Sequence, residues 1–134
     1  MKKVLVFGTF DGLHEGHKDF FRQAKEHGDF LVVVVGRDST VLKVKGRLPK
    51  FSEHDRLDVV QKAPFVDYAR LGNEGVSRYQ IIKEVNPNII CLGYDQTHFT
   101  EQLPEKIKEL GLNIPIVRLE AYKPEIYHSS ILNK

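Results

Sequence analysis

Two histidines stand three positions apart in the segment Gly8-Thr9-Phe10-Asp11-Gly12-Leu13-His14-Glu15-Gly16-His17. An imidazole can donate a hydrogen bond to a phosphate oxygen, and a pair at this spacing can bring both rings to the mouth of one helix. The unsatisfied N–H groups of a helix N-terminus favour the same ligand. Gly8 permits close approach of a ligand to the backbone. The competing use of a histidine pair is metal binding, but zinc would want a third and fourth ligand. No Cys-rich or H-E-x-x-H pattern provides them, so no metal-ligating residues are expected. A G-x-G-x-x-G fingerprint and a Walker A loop are also absent, which removes the two commonest glycine-rich phosphate sites.

The elements that must hold these residues follow from hydrophobic patterning. Five short runs, Lys3 to Phe7, Phe30 to Gly36, Asp67 to Leu71, Asn88 to Gly93 and Pro115 to Leu119, read as strands. The unalternated run Leu31-Val32-Val33-Val34-Val35 predicts a strand covered by helices on both faces, as in a parallel sheet. Helical spacing appears from His17 to His27, after Ser52, from Val76 to Val85 and after Pro104, with Gly28, Pro87 and Gly111 as stops. Ser52-Glu53-His54-Asp55 resembles a capping box with Asp in the usual Glu position. The fold class predicted is α/β, a Rossmann-like doubly wound sandwich with a five-stranded parallel sheet. The histidine segment then lies just beyond the first strand, where such sheets bind ligands. Arg37 to Lys50 and Ala121 to His128 fit no regular element and are expected to be loops, with a short helix starting at Ser129.

The 134 residues, 41% hydrophobic, suffice for one domain spanning 1–134. Twenty basic and eighteen acidic side chains give a net charge of +2, so neither nucleic acid nor a membrane is an expected partner. The single cysteine, Cys91, and the lack of a signal-peptide pattern in MKKVLVFGTF make a cytoplasmic location the expectation. Phe20 and Phe21 read as core, His27, His54 and His98 as surface, and Cys91 as an inert strand residue.

The stretch from Gly8 to His17 resembles the GTFD-x-x-H-x-G-H signature of the cytidylyltransferase-like nucleotidyltransferases. Gly36-Arg37-Asp38-Ser39 and Glu53-His54-Asp55-Arg56-Leu57 are similar to further landmarks of that family. Leu92-Gly93-Tyr94-Asp95-Gln96 resembles the archaeal-type FAD synthases more than the glycerol-3-phosphate cytidylyltransferases, which have Gly-Asp-Asp there. Tyr127-His128-Ser129-Ser130 is similar to the family's serine-rich stretch, although Ile131 stands where FAD synthases carry a third serine.

The resemblance implies transfer of a nucleoside monophosphate from ATP or CTP to a phosphorylated small molecule, with release of pyrophosphate. ATP and FMN are the first expectation, CTP and glycerol 3-phosphate or a similar polyol phosphate the alternative, and a non-catalytic nucleotide-binding module the third. His14, His17 and Lys45 are the expected catalytic residues. Gly8, Thr9, Phe10, Asp11, Lys43, Arg47, Gly93, Asp95, His128, Ser129 and Ser130 are the expected nucleotide-binding residues. Phe10, Phe99, Tyr122 and Tyr127 are aromatic residues that could line a flavin slot. Mg2+ is expected between the nucleotide phosphates, and a homodimer is expected from the family.

Overall fold

The computed structural model describes residues 1–73, 79–94, 96 and 102–121. The strands are β1 (Lys3–Gly8), β2 (Phe30–Val35), β3 (Tyr68–Leu71), β4 (Ile89–Leu92) and β5 (Ile116–Arg118). The helices are α1 (Glu15–Lys25), α2 (Asp38–Lys45), α3 (Glu53–Gln61), α4 (Gln80–Val85) and α5 (Leu103–Glu109). The five strands form one parallel sheet in the order β3-β2-β1-β4-β5. From β1 the chain winds outward through β2 to β3, then returns to place β4 on the other flank of β1. That reversal puts the switch point between the carboxyl ends of β1 and β4.

Both faces of the sheet are buried, with the period of two that strands impose. Val4, Val6, Leu31, Val33, Val35, Ile89 and Cys91 face one core with Phe21 and Ala24 of α1 and Val60 of α3. Leu5, Val32, Val34, Ile90 and Leu92 face a second core with Ile81 and Ile82 of α4 and Leu103 and Ile107 of α5. The apolar runs therefore lack alternation because each strand serves two helical layers. Burial pushes the Cys91 thiol up to about 11, as suits an inert core residue.

Two element boundaries differ from the sequence expectation. The stretch from Arg37 to Lys50 is not all loop, because Asp38–Lys45 is helical and stops at Gly46 with φ 79°. Its first N–H is capped from another helix, Asp38 N–H donating to Glu53 Oε1 at 2.8 Å, so no local cap signals it. Helix α1 begins at Glu15, two residues ahead of the expected His17, which makes His14 its N-cap. Helix α4 (Gln80–Val85) stops where expected, with Asn86 at φ 52° as its C-cap just ahead of Pro87. Ser52 caps α3 as expected, its Oγ accepting from Asp55 N–H at 3.2 Å. Among the described residues no helix is long and apolar enough to cross a membrane. Val76 and the expected helix from Ser129 lie outside the described residues.

Phe21 is fully buried, whereas Phe20 is partly exposed beside the same core. Phe21→Ala should cost about 3–5 kcal/mol in urea unfolding, and Phe20→Ala clearly less.

Candidate functional site

Beyond β1 the chain makes a compact turn. Phe10 has φ 54°, unusual for a bulky residue, and Gly12 has φ 94°. The conformation at Phe10 sends its ring into the core, where it is 6% exposed and packs on Phe20, Phe21 and His17. A Cβ on Gly8 would come within 2.4 Å of that ring, so Gly8 is required by local packing as well as by any ligand. The expectation that the Phe10 ring lines a flavin slot is corrected on this ground: the ring is a core wedge beneath the turn.

The turn delivers His14 to the N-cap of α1 in extended geometry. Gly16 N–H donates to His14 Nδ1 at 3.0 Å, and His14 N–H donates to His17 Nδ1 at 3.3 Å. The rings lie 3.9 Å apart, and Phe10 meets His17 edge-on at 5.4 Å. A nitrogen that accepts from a backbone N–H carries no hydrogen itself, so each neutral imidazole holds its proton on Nε2. The pair thus acts as a capping box made of histidines, with both tautomers set by the helix start. Nε2–H is the donor a phosphate oxygen needs.

A buried arginine organises the neighbouring segment. Arg56, 1% exposed on α3, donates Nη1 to Thr9 O at 2.7 Å, Nε to Phe51 O at 3.0 Å and Nη2 to Asp38 Oδ1 at 2.7 Å. Glu53 accepts from Asp38 N–H and from Arg37 Nη1, while Arg37 Nε reaches Gly72 O at 2.8 Å. Asp11 accepts from the N–H groups of Lys50 and Phe51 at 2.7 and 2.9 Å. Desolvation raises the Asp11 pKa, but those two N–H groups, with Arg56 and Lys45 nearby, outweigh it and hold the carboxyl below its ordinary value.

Two adjoining pockets open at the carboxyl ends of the strands. The first is largely apolar, with Phe7, Val34, Val41 and Ile81 in its lining and Lys45 and Gln96 among its polar groups. The second is basic, with Lys45, Arg47 and Lys50 around Thr9 and Asp11. Thr9, Val41 and Lys45 belong to both, and Gly8 to the first. Lys43 lines neither, although it shares α2 with Lys45. His14 and His17 also line neither; they stand at the mouth of α1, on the far end of the turn that begins at Gly8.

At the exit of β4, Gly93 N–H donates to Gln96 Oε1 at 3.1 Å, and Gln96 Nε2 to Phe7 O of β1 at 3.3 Å. Arg118 Nη1 donates to Gly93 O and Gln96 O at 2.7 and 2.9 Å. The Gln96 amide therefore bridges β1 and β4 at the switch point, beyond their ladder. Asp95, Phe99, Tyr122, Tyr127, His128, Ser129 and Ser130 lie outside the described residues. Sequence reasoning missed the positioning roles of Arg56, Gln96 and Arg118.

Replacing Arg56 by Lys leaves one point charge where a planar fork served three segments. Arg56→Lys should lower stability by about 3 kcal/mol in urea unfolding. Because the Asp11 pKa is lowered on folding, its contribution is complete above the ordinary carboxylate value and lost as pH falls through the folded one. The stability difference between wild type and Asp11→Asn should therefore be constant from neutral pH to about 5 and shrink below about 4.

The comparisons with known proteins agree with this geometry. The cytidylyltransferase-like family model matches residues 5–132. The FAD synthase of Thermoplasma volcanium is 42% identical over 134 residues, 100% of this chain and 93% of that protein. The FAD synthase of Pyrococcus horikoshii is 42% identical over 117 residues, 87% of this chain and 79% of that protein. A crystal structure from Thermoplasma volcanium, described as a lipopolysaccharide core biosynthesis protein, superimposes with a TM-score of 0.84 at 43% identity, covering 92% of this chain and 99% of its own. Pantoate-beta-alanine ligase from Francisella tularensis shares the fold alone, with a TM-score of 0.62 at 13% identity, covering 88% of this chain and 58% of its own. With its histidine-capped turn at the mouth of α1, its doubly wound sheet and a family match over nearly all its length, this chain belongs to the cytidylyltransferase-like family and is a nucleotidyltransferase.

Proposed function

We propose that the chain transfers AMP from ATP to FMN, forming FAD and releasing pyrophosphate. The observation that carries this reading is the adjacency of a basic pocket and an apolar pocket that share Lys45 and Thr9. A triphosphate suits the basic pocket, and a flat apolar acceptor bearing one phosphate suits the apolar one. The full-length similarity to proteins named FAD synthase supports the choice of acceptor.

In the reaction an oxygen of the acceptor phosphate attacks the α-phosphate, a new P–O bond forms, and the bond to the β-phosphate breaks in line. The attacking monoester is already anionic near neutral pH, so no strong general base is required. The protein's task is positioning and stabilisation of charge on phosphate oxygens. His14 and His17 supply Nε2–H donors fixed by the helix cap. Lys45, between the pockets, bridges the transferred and leaving groups, and Arg47 holds the pyrophosphate end. Lys43, exposed on the same helix, adds a long-range electrostatic contribution. Gly93 and Asp95 serve the base or ribose, and His128, Ser129 and Ser130 the outer phosphates. Magnesium would come with the nucleotide, held by phosphate oxygens and water. Both Asp11 oxygens accept backbone N–H groups, so this carboxylate would meet such an ion through water and not as a direct ligand.

Incubation with Mg2+, ATP and FMN should release pyrophosphate and yield FAD by mass. A product only with CTP and glycerol 3-phosphate would move the assignment to the cytidylyltransferases, and turnover with neither pair would count against FMN. His17→Ala should lower kcat by about 10²–10³ while the protein stays folded. A folded mutant with near wild-type turnover would overturn the mechanism.

A further inference from the structure

We infer that Asp11 is a positioning residue that acts through the basic loop, holding Arg47 and Lys50 over the basic pocket without touching nucleotide or metal itself. The loop leaves α2 at Gly46 and rejoins the fold at Phe51. Its far end is held from two directions. The Asp11 carboxylate takes the N–H groups of Lys50 and Phe51, one on each oxygen, and Arg56 Nε donates to Phe51 O. Between these anchors the loop exposes Leu48, 61% accessible, with Arg47 and Lys50 on the pocket wall. A carboxylate beside a triphosphate repels it. Here two backbone donors turn both Asp11 oxygens toward the loop, and Lys45, Arg47 and Lys50 around the pocket offset its charge. The same two bonds join the turn that presents the histidines to the loop that carries the cations, 39 and 40 residues apart in the chain. Asp11 thereby sets the distance between the two halves of the phosphate site.

Asparagine keeps the shape of Asp11 and one acceptor oxygen but turns the other into a donor, so one loop N–H loses its partner. The inference rests on the pocket being the nucleotide's phosphate site, and its test has a part independent of turnover. Asp11→Asn should keep the far-ultraviolet spectrum of the wild type, raise KM for ATP about tenfold or more, and leave KM for FMN within about twofold. Limited trypsin digestion should cut the mutant faster after Arg47 or Lys50, with other sites unchanged. A folded mutant that loses kcat at unchanged KM for ATP, or whose loop is cut no faster than that of the wild type, would overturn the inference and assign Asp11 direct contact with the reacting groups. Should the mutant not fold, amide hydrogen exchange on the wild type decides: the N–H groups of Lys50 and Phe51 should exchange more slowly than that of Leu48, and equal rates would refute the staple. If neither substrate pair turns over, the function fails while exchange and proteolysis still judge Asp11.

Discussion

A guanidinium with its side chain wholly out of contact with solvent is the constraint around which this site is built. Arg56 cannot lose its charge, and an unpaired buried charge is expensive. Its surroundings must therefore present acceptors in the plane of the fork. They come from the exit of β1 at Thr9, from the end of the basic loop at Phe51 and from the first residue of α2 at Asp38. These segments are distant in sequence, and shifting any one of them leaves part of the guanidinium unsatisfied. Asp38 in turn needs Glu53 to cap its N–H, and Glu53 pairs with Arg37, which reaches Gly72 beyond β3. Satisfying one arginine thus ties the carboxyl-end loops of β1, β2 and β3 together.

The other flank of β1 uses a different device. Strands β1 and β4 pair at Val4 with Ile89 and at Leu5 with Ile90, and their ends then diverge at the switch point. The Phe7 carbonyl and the Gly93 N–H stand at that divergence, where buried backbone groups need hydrogen bonds. The Gln96 side chain, both donor and acceptor, meets the two at once. Arg118, entering from β5, holds the turn that carries Gln96. The crevice can remain open to a ligand because a side chain replaces the missing ladder.

The sheet was legible because two-sided burial leaves a plain mark, the run Leu31 to Val35, and because strands repeat it at regular intervals. The histidine turn stood out because its residues are consecutive, and the structure gathers His14 and His17 into one helix cap. What escaped was non-local. Helix α2 carries the β-branched residues Thr40, Val41 and Val44, and its cap comes from α3, so local propensity understates it. Arg56 stands out in the sequence only as part of the landmark stretch Glu53 to Leu57, and only the fold shows it pointing inward. Phe10 looked like a loop aromatic free to meet a ligand, because a positive φ at a phenylalanine has no sequence signal. The bonds that tie Asp11 to the basic loop left no mark in the sequence because its partners lie 39 and 40 residues on.

The histidine cap shows why chemistry and folding are hard to separate here. Serine, threonine, aspartate and asparagine are the usual N-caps, and their short side chains keep any remaining polar atom close against the helix end. A histidine at that place takes up the N–H with Nδ1 and, in the same act, fixes a donor at the opposite edge of its ring. The cap therefore moves hydrogen-bonding capacity outward from the backbone to the imidazole instead of cancelling it. His17, returning the bond to the His14 N–H, does the same from the third position of the helix. Phe10 presses on the His17 ring from the core side, which fixes its plane. The helix start itself chooses the tautomers, and the site can place two Nε2–H donors beside a developing negative charge.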